Sequence, residues 1–251
     1  MFPIEVPDNF RIIAHRGASG YAPENTLPAF DLALRMGVRE VETDTQLTRD
    51  GAVVLCHDAM LDRYGYPDLC VEQQHLSELQ DLDMGSWFSP YQYGGTGMMT
   101  LAELLDRYGD TLCYHVELKG KSPGLPQAVH EVIRQAGLGH RCFVTSFSYE
   151  HLERMRKIDA ALPLGWLVRE IGADGLDKAS AVGLIQLCPR AADLTADAVQ
   201  ACRGVVQEVR AWGLGGGGQQ VSELVHGILA AGCDGVTINW PDWLRHPSSP
   251  G

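Results

Sequence analysis

The chain has 251 residues, a net charge of −12 and 45% hydrophobic residues, the balance of a globular protein with enough mass for a sizeable core. The acidic surplus argues against a broad nucleic-acid footprint or an anionic-membrane surface, both of which call for clustered Lys and Arg. It leaves room for a small anionic ligand in a locally positive pocket, and for a bound cation that offsets part of the surplus.

The first ten residues hold Glu5, Asp8, Asn9 and two prolines, without the basic and apolar regions of a secretory leader. Apolar runs alternate with helix-periodic segments from there on. Strands are predicted at Ile12–His15, Glu40–Leu47, Val53–His57, Leu112–Lys119, Cys142–Phe147, Leu164–Val168, Gly183–Leu187, Val206–Ala211 and Val236–Asn239. Helices are predicted at Thr26–Met36, Leu101–Tyr108, Pro126–Gln135, Tyr149–Ile158, Thr195–Arg203 and Val221–Ala231. Asp50-Gly51 between two apolar runs reads as a hairpin turn. About eight strand–helix repeats in one chain of this length predict a (β/α)8 barrel in a single domain over 1–251.

Residues 59–99 break the rhythm. They are rich in Asp, Gln, Gly, Pro and Tyr, with one short helical pattern at Ser77–Leu82 and Ser77 as its cap. They read as a small insertion after the second strand region, covering one rim. Gly215–Gly218 reads as a flexible loop rather than a dinucleotide fingerprint, and the tail from Pro247 to Gly251 as frayed. The seven cysteines are odd in number, lack a CxxC pair and lie mostly in apolar runs, so they read as reduced, buried thiols. No apolar stretch approaches the roughly 18 residues of a membrane span, and a cytoplasmic location is expected.

Four polar clusters carry chemistry. His15 and Arg16 end the first long apolar run, where a histidine can move a proton beside a guanidinium that clamps phosphate oxygens. Glu42 and Asp44 are two apart on a strand and share a face, where two carboxylates repel unless a cation joins them. His115, Glu117 and Lys119 alternate in the same way, so Glu117 and Lys119 point inward and His115 lies one layer deeper as an interior histidine. His57 closes another apolar run as His15 does. Three carboxylates form an all-oxygen set for one hard divalent ion, Mg²⁺ or Ca²⁺. All these groups are expected at strand C-termini, the functional face of a (β/α)8 barrel. The set suits phosphodiester cleavage, with Arg16 and Lys119 on the phosphate and two histidines moving protons. A GxSxG elbow is absent, which argues against a serine triad.

The residues at this point resemble the glycerophosphodiester phosphodiesterase family. The matching strings are His15-Arg16-Gly17, Ala22-Pro23-Glu24-Asn25-Thr26, Glu42-Thr43-Asp44, Thr48-Arg49-Asp50-Gly51, His57-Asp58 and Glu117-Leu118-Lys119. Gly85-Ser86-Trp87-Phe88, Thr100-Leu101, Ser146-Phe147 and Asp234-Gly235 continue them in the family's order. The resemblance implies a TIM barrel with a small insertion, a divalent metal at Glu42, Asp44 and Glu117, and His15 and His57 as the acid/base pair. It also implies phosphate contacts from Arg16 and Lys119, and a glycerophosphodiester substrate cut to sn-glycerol 3-phosphate and an alcohol. The competing expectations are a phospholipase D-like lyase releasing a cyclic phosphate from lysolipids, and a non-catalytic phosphate-binding barrel. The chain departs from the family's frequent Trp-Thr-Val-Asn string at Trp212-Gly213-Leu214-Gly215, which implies a looser loop and altered headgroup selectivity. It also has Tyr64 where a threonine often follows Leu61-Asp62-Arg63; no role is expected of it.

Overall fold

The structure is a computed structural model that describes residues 2–247. Its strands, in chain order, are β1 (Ile4–Glu5), β2 (Arg11–His15), β3 (Glu40–Leu47), β4 (Val53–Leu55), β5 (Cys113–Leu118), β6 (Cys142–Ser146), β7 (Leu164–Leu167), β8 (Gln186–Cys188), β9 (Glu208–Ala211), β10 (Gly235–Ile238) and β11 (Leu244–Arg245). The helices are α1 (Leu27–Arg35), α2 (Leu76–Gln80), α3 (Pro90–Tyr93), α4 (Leu101–Tyr108), α5 (Leu125–Ala136), α6 (Tyr149–Ile158), α7 (Ala173–Val182), α8 (Ala196–Cys202) and α9 (Gly218–Ala230). Eight strands, β2, β3 and β5–β10, pair in parallel, and the β2–β3 pairing closes them into a barrel. The expected (β/α)8 architecture is therefore what the chain forms. β1 and β11 bring the two ends of the chain together in a separate parallel pair.

Nine strands were expected to serve the sheet, and one of them serves differently. β4 runs antiparallel on the upper half of β3, with Thr45 opposite Leu55 and Leu47 opposite Val53. The turn between them carries Gly51 at φ +86°, a conformation glycine adopts freely. His57 thus lies past the end of a hairpin arm, not at the C-terminus of a barrel strand as expected. The hairpin turn expected at Asp50-Gly51 forms, and it carries β4 and His57 off the ring of parallel strands.

Residues 59–99 follow β4 and form a second, smaller core in which Leu61, Tyr64, Val71, Leu79, Met84 and Met98 pack with Val54 and Cys56. Its helix α2 starts at Leu76 with His75 at the cap, whose N–H donates to Glu78 at 2.7 Å. Ser77 is inside the helix, so the expected cap is corrected by two residues. α4 follows with the capping box of Thr100 and Glu103.

α7 was not foreseen. Its sequence, ADGLDKASAV, mixes Gly and Asp with small residues and buries only Ala179 and Val182. Residues 215–217 of the glycine run form a loop. Gly218 is the first residue of α9, and Leu214 is buried. All seven cysteines are free thiols; five are buried, while Cys70 and Cys113 are partly exposed. Among the described residues no helix is long and apolar enough to cross a membrane. Of the tail expected to fray, residues 248–251 lie outside the described residues.

Candidate active site

Strand register assembles the site. His15 is opposite Glu42, Glu42 opposite His115, Asp44 opposite Glu117, and Glu117 opposite Thr145. Side chains two apart face the same way, so β2, β3 and β5 raise Glu42, Asp44 and Glu117 into one cluster beneath the barrel mouth. Their ligand oxygens lie within 4.8 Å of one another, and all three residues are buried.

Arg16 ties this cluster to the first loop. Its backbone is left-handed, φ +56°, a strained choice for a non-glycine residue. That turn aims its N–H at Glu42 Oε2, 3.2 Å away, and its guanidinium at Asp44 and Glu24, each 2.9 Å away. Asn25, also left-handed at φ +57°, donates to Asp44 Oδ2 at 3.0 Å and accepts from Thr43. Gly17 follows at φ +80°, and a Cβ there would stand 2.6 Å from the backbone carbon of Ala29. The HRG string is therefore a backbone requirement as well as a chemical one. Lys119 Nζ reaches Glu117 at 3.0 Å and Asp44 at 3.6 Å.

The electrostatics follow from crowding. Burial and then the charges of Asp44 and Glu117 push Glu42 well above the ordinary carboxylate range. Burial and Asp44 likewise raise Glu117 to about 7. Burial would also raise Asp44, but Arg16 and Lys119 overcome it and hold that carboxyl at about 2. Glu42 Oε1 and Asp44 Oδ1 are buried oxygens without a hydrogen-bond partner. Orphaned, mutually repelling oxygens in an all-carboxylate set fit a hard divalent cation well.

The two histidines line the same cavity, both about 30% exposed. His15 Nδ1 is 2.6 Å from Asn239 Oδ1, and its Nε2 is 3.8 Å from Glu42. Burial and the adjacent Arg16 hold the His15 imidazolium form down, to a pKa of about 4. His57 Nδ1 is 2.6 Å from Asp58 Oδ1. Asp58 is in turn gripped by Arg63 Nε at 2.8 Å, and Arg63 Nη2 reaches Glu24 at 2.5 Å and the Tyr64 hydroxyl at 2.7 Å. The Arg63 guanidinium lies over the rings of Tyr64 and Trp87, 4.8 and 4.7 Å from their centroids. A continuous chain, Arg16–Glu24–Arg63–Asp58–His57, thus joins the first loop to the second histidine through the insertion.

All seven sequence-predicted site residues converge: His15, Arg16, Glu42, His57, Glu117 and Lys119 line one cavity of about 340 Å³, and Asp44 lies directly behind them. Its opposite wall is apolar, with Phe147, Leu167, Trp212 and Leu214; the Phe147 and Trp212 rings meet edge to face at 5.0 Å. Sequence reasoning missed Arg63, Tyr64, Asn239, Thr145 and Arg210. Asp58 was visible as the neighbour of His57, and Asn239 as the end of a strand. Nothing in the spacing of Arg63 signals that it folds back onto Asp58. His115 behaves as expected: it is fully buried, bonded to Glu40 at 3.0 Å and stacked on Phe143.

Comparison with known proteins agrees with this geometry. The sequence model of the glycerophosphoryl diester phosphodiesterase family matches residues 15–243. YhdW of Bacillus subtilis is 39% identical over 160 residues, 63% of this chain and just under two thirds (65%) of that protein. A glycerophosphodiester phosphodiesterase of Caldanaerobacter subterraneus is 27% identical over 93% of this chain and 95% of its own. Among solved structures, a phosphodiesterase of Oleispira antarctica in complex with the product sn-glycerol-3-phosphate superposes with a TM-score of 0.81 at 27% identity. That superposition covers 92% of this chain and 94% of the other.

Proposed function

Because the chain belongs to the glycerophosphoryl diester phosphodiesterase family, we propose that it hydrolyses glycerophosphodiesters to sn-glycerol 3-phosphate and an alcohol. The observation that carries the proposal is the convergence of two histidines and three carboxylates around one cavity, with Arg16 and Lys119 at its polar wall. The whole of 1–251 acts as one phosphodiesterase domain, with 59–99 inserted to brace His57.

Glu42, Asp44 and Glu117 would hold the divalent cation, which when bound draws charge from the phosphate. Arg16 and Lys119 supply fixed positive charge on the same side. His15, turned by Asn239 and kept neutral by burial, accepts a proton from the attacking hydroxyl. His57 has a carboxylate on Nδ1, which suits a proton donor; its Nε2 gives a proton to the departing alkoxide. The bond from phosphorus to the attacking oxygen forms as the bond to the alcohol oxygen breaks. The attacking hydroxyl belongs to water, or to the substrate's own glycerol with a cyclic phosphate on the way. The apolar wall of Phe147, Leu167, Trp212 and Leu214 shields the organic part of the diester.

Turnover of glycerophosphocholine followed by ³¹P NMR tests the reading. His15→Ala and His57→Ala are each expected to lose roughly 10²–10⁴-fold in kcat. With a p-nitrophenyl leaving group the His57→Ala loss should largely vanish, because a weakly basic alkoxide needs no proton, while the His15→Ala loss should persist. Near-native activity of either variant on glycerophosphocholine refutes the acid/base assignment. Full activity after exhaustive chelation refutes the metal, and a cyclic phosphate as sole end product replaces hydrolysis by a lyase reaction.

A further inference from the structure

Arg210 is the largest fully buried side chain among the described residues, 1% exposed in the floor of the site cavity. Its Nη1 donates to Thr237 Oγ1. Nε and Nη2 are closed to solvent and have no hydrogen-bond partner, and no described carboxylate lies within ion-pair distance of the guanidinium. A cation so placed needs an internal negative partner, because burial of a lone charge is costly.

The charges above it show which partner remains. Arg16 is shared between Asp44 and Glu24, and Lys119 between Glu117 and Asp44. Glu42 alone of the three carboxylates lacks an ion pair with an Arg or Lys side chain, and its Oε1 is also without a partner. Arg210 and Glu42 line the same cavity. His115 and Cys188, which also lie near it, bring no negative charge at neutral pH. Glu208, two residues earlier on the same strand, is occupied by Arg11 and Gln186.

We propose that Arg210 is a standing counter-charge for the carboxylate cluster. It lets Glu42, Asp44 and Glu117 coexist before a metal arrives, and by the same charge it limits how tightly a divalent cation is then held. Arg16, Lys119 and Arg210 offset part of the charge of Glu42, Asp44, Glu117 and Glu24 without a metal; a divalent ion entering the cluster meets a buried positive charge below it. The inference rests on these three residues being the metal site.

The test uses the full-length protein, stripped of metal, with melting temperature and calorimetric Mg²⁺ and Ca²⁺ titrations at pH 8. Arg210→Met is expected to melt lower than wild type without metal, to bind metal at least ten-fold tighter, and to recover its melting temperature on metal addition. Arg210→Lys, which keeps the charge, should bind metal within about three-fold of wild type. A metal Kd for Arg210→Met that is unchanged or weaker overturns the proposal. Should Arg210→Met fail to fold, a second comparison decides. Glu42→Gln strands the arginine, so Glu42→Gln/Arg210→Met should melt above Glu42→Gln alone; equal or lower melting overturns the proposal. Absence of any metal binding by wild type refutes the metal site itself, while the paired melting comparison still reads the counter-charge.

Discussion

Asp58→Asn isolates the electrostatic part of His57's role, because the amide has almost the shape of the carboxylate and removes only the charge. In the structure the carboxylate oxygen is 2.6 Å from Nδ1. At that separation the attraction to an imidazolium is about 6 kcal/mol at an effective dielectric of 20 and about 1.6 kcal/mol in bulk water. His57 and Asp58 are 30% and 31% exposed, which places the pair toward the watery end of that interval. A loss of about 2–3 kcal/mol in the transition state corresponds to roughly 30- to 150-fold in kcat. KM should change little, since Asp58 does not line the cavity. The assay is initial-rate release of choline from glycerophosphocholine, with melting temperature as the control for folding. A p-nitrophenyl diester provides the internal check: its hydrolysis should suffer far less. Asp58→Asn retaining more than half of wild-type kcat on glycerophosphocholine would refute the claim that Asp58 supports a proton-donating His57.

Two further perturbations test other parts of the structure. Gly17→Ala places a Cβ 2.6 Å from the Ala29 backbone at a positive φ. The strain and clash should cost about 3 kcal/mol or more, lowering the melting temperature by roughly 6–12 °C in a chain of this size; a shift under 2 °C contradicts it. His115 concerns acid stability. Burial depresses it from 6.5 to about 4, so the folded protein keeps it neutral while the unfolded chain takes up a proton below pH 6.5. Stability should therefore fall as pH drops from 6.5 through 4, by about 3 kcal/mol from this group. Glu40, held at about 2 despite burial by His115 and Arg11, adds a loss in the same direction below pH 4.5. Denaturant titrations across this range should show a shallower pH dependence for His115→Gln; an unchanged slope contradicts the assignment.

The fold was legible because alternation in the chain maps directly onto geometry. Glu42 and Asp44, or Glu117 and Lys119, must share a strand face once their segments are strands, and a period of two needs no tertiary information. The boundaries of β3, α4 and α6 follow the periodicity to the residue. α7 was not legible, because a helix that buries little apolar surface carries a weak pattern. The antiparallel turn into β4 was legible at Asp50-Gly51, but its consequence, that His57 lies outside the barrel strands, was not.

By itself, then, the amino-acid order determined the strand–helix alternation and the seven polar residues that the structure gathers at one cavity. Those features are set within a few residues of chain, by side-chain chemistry and strand period. Only the tertiary structure decided which distant groups complete them. Arg63, from the insertion, reaches back to Asp58 and Glu24; Asn239, just past the last barrel strand, meets His15. Arg210 is left buried in the same cavity as Glu42 without an ion pair. Barrel closure and strand register set these meetings, and a charge's partner in a low-dielectric interior depends on distance through space rather than along the chain.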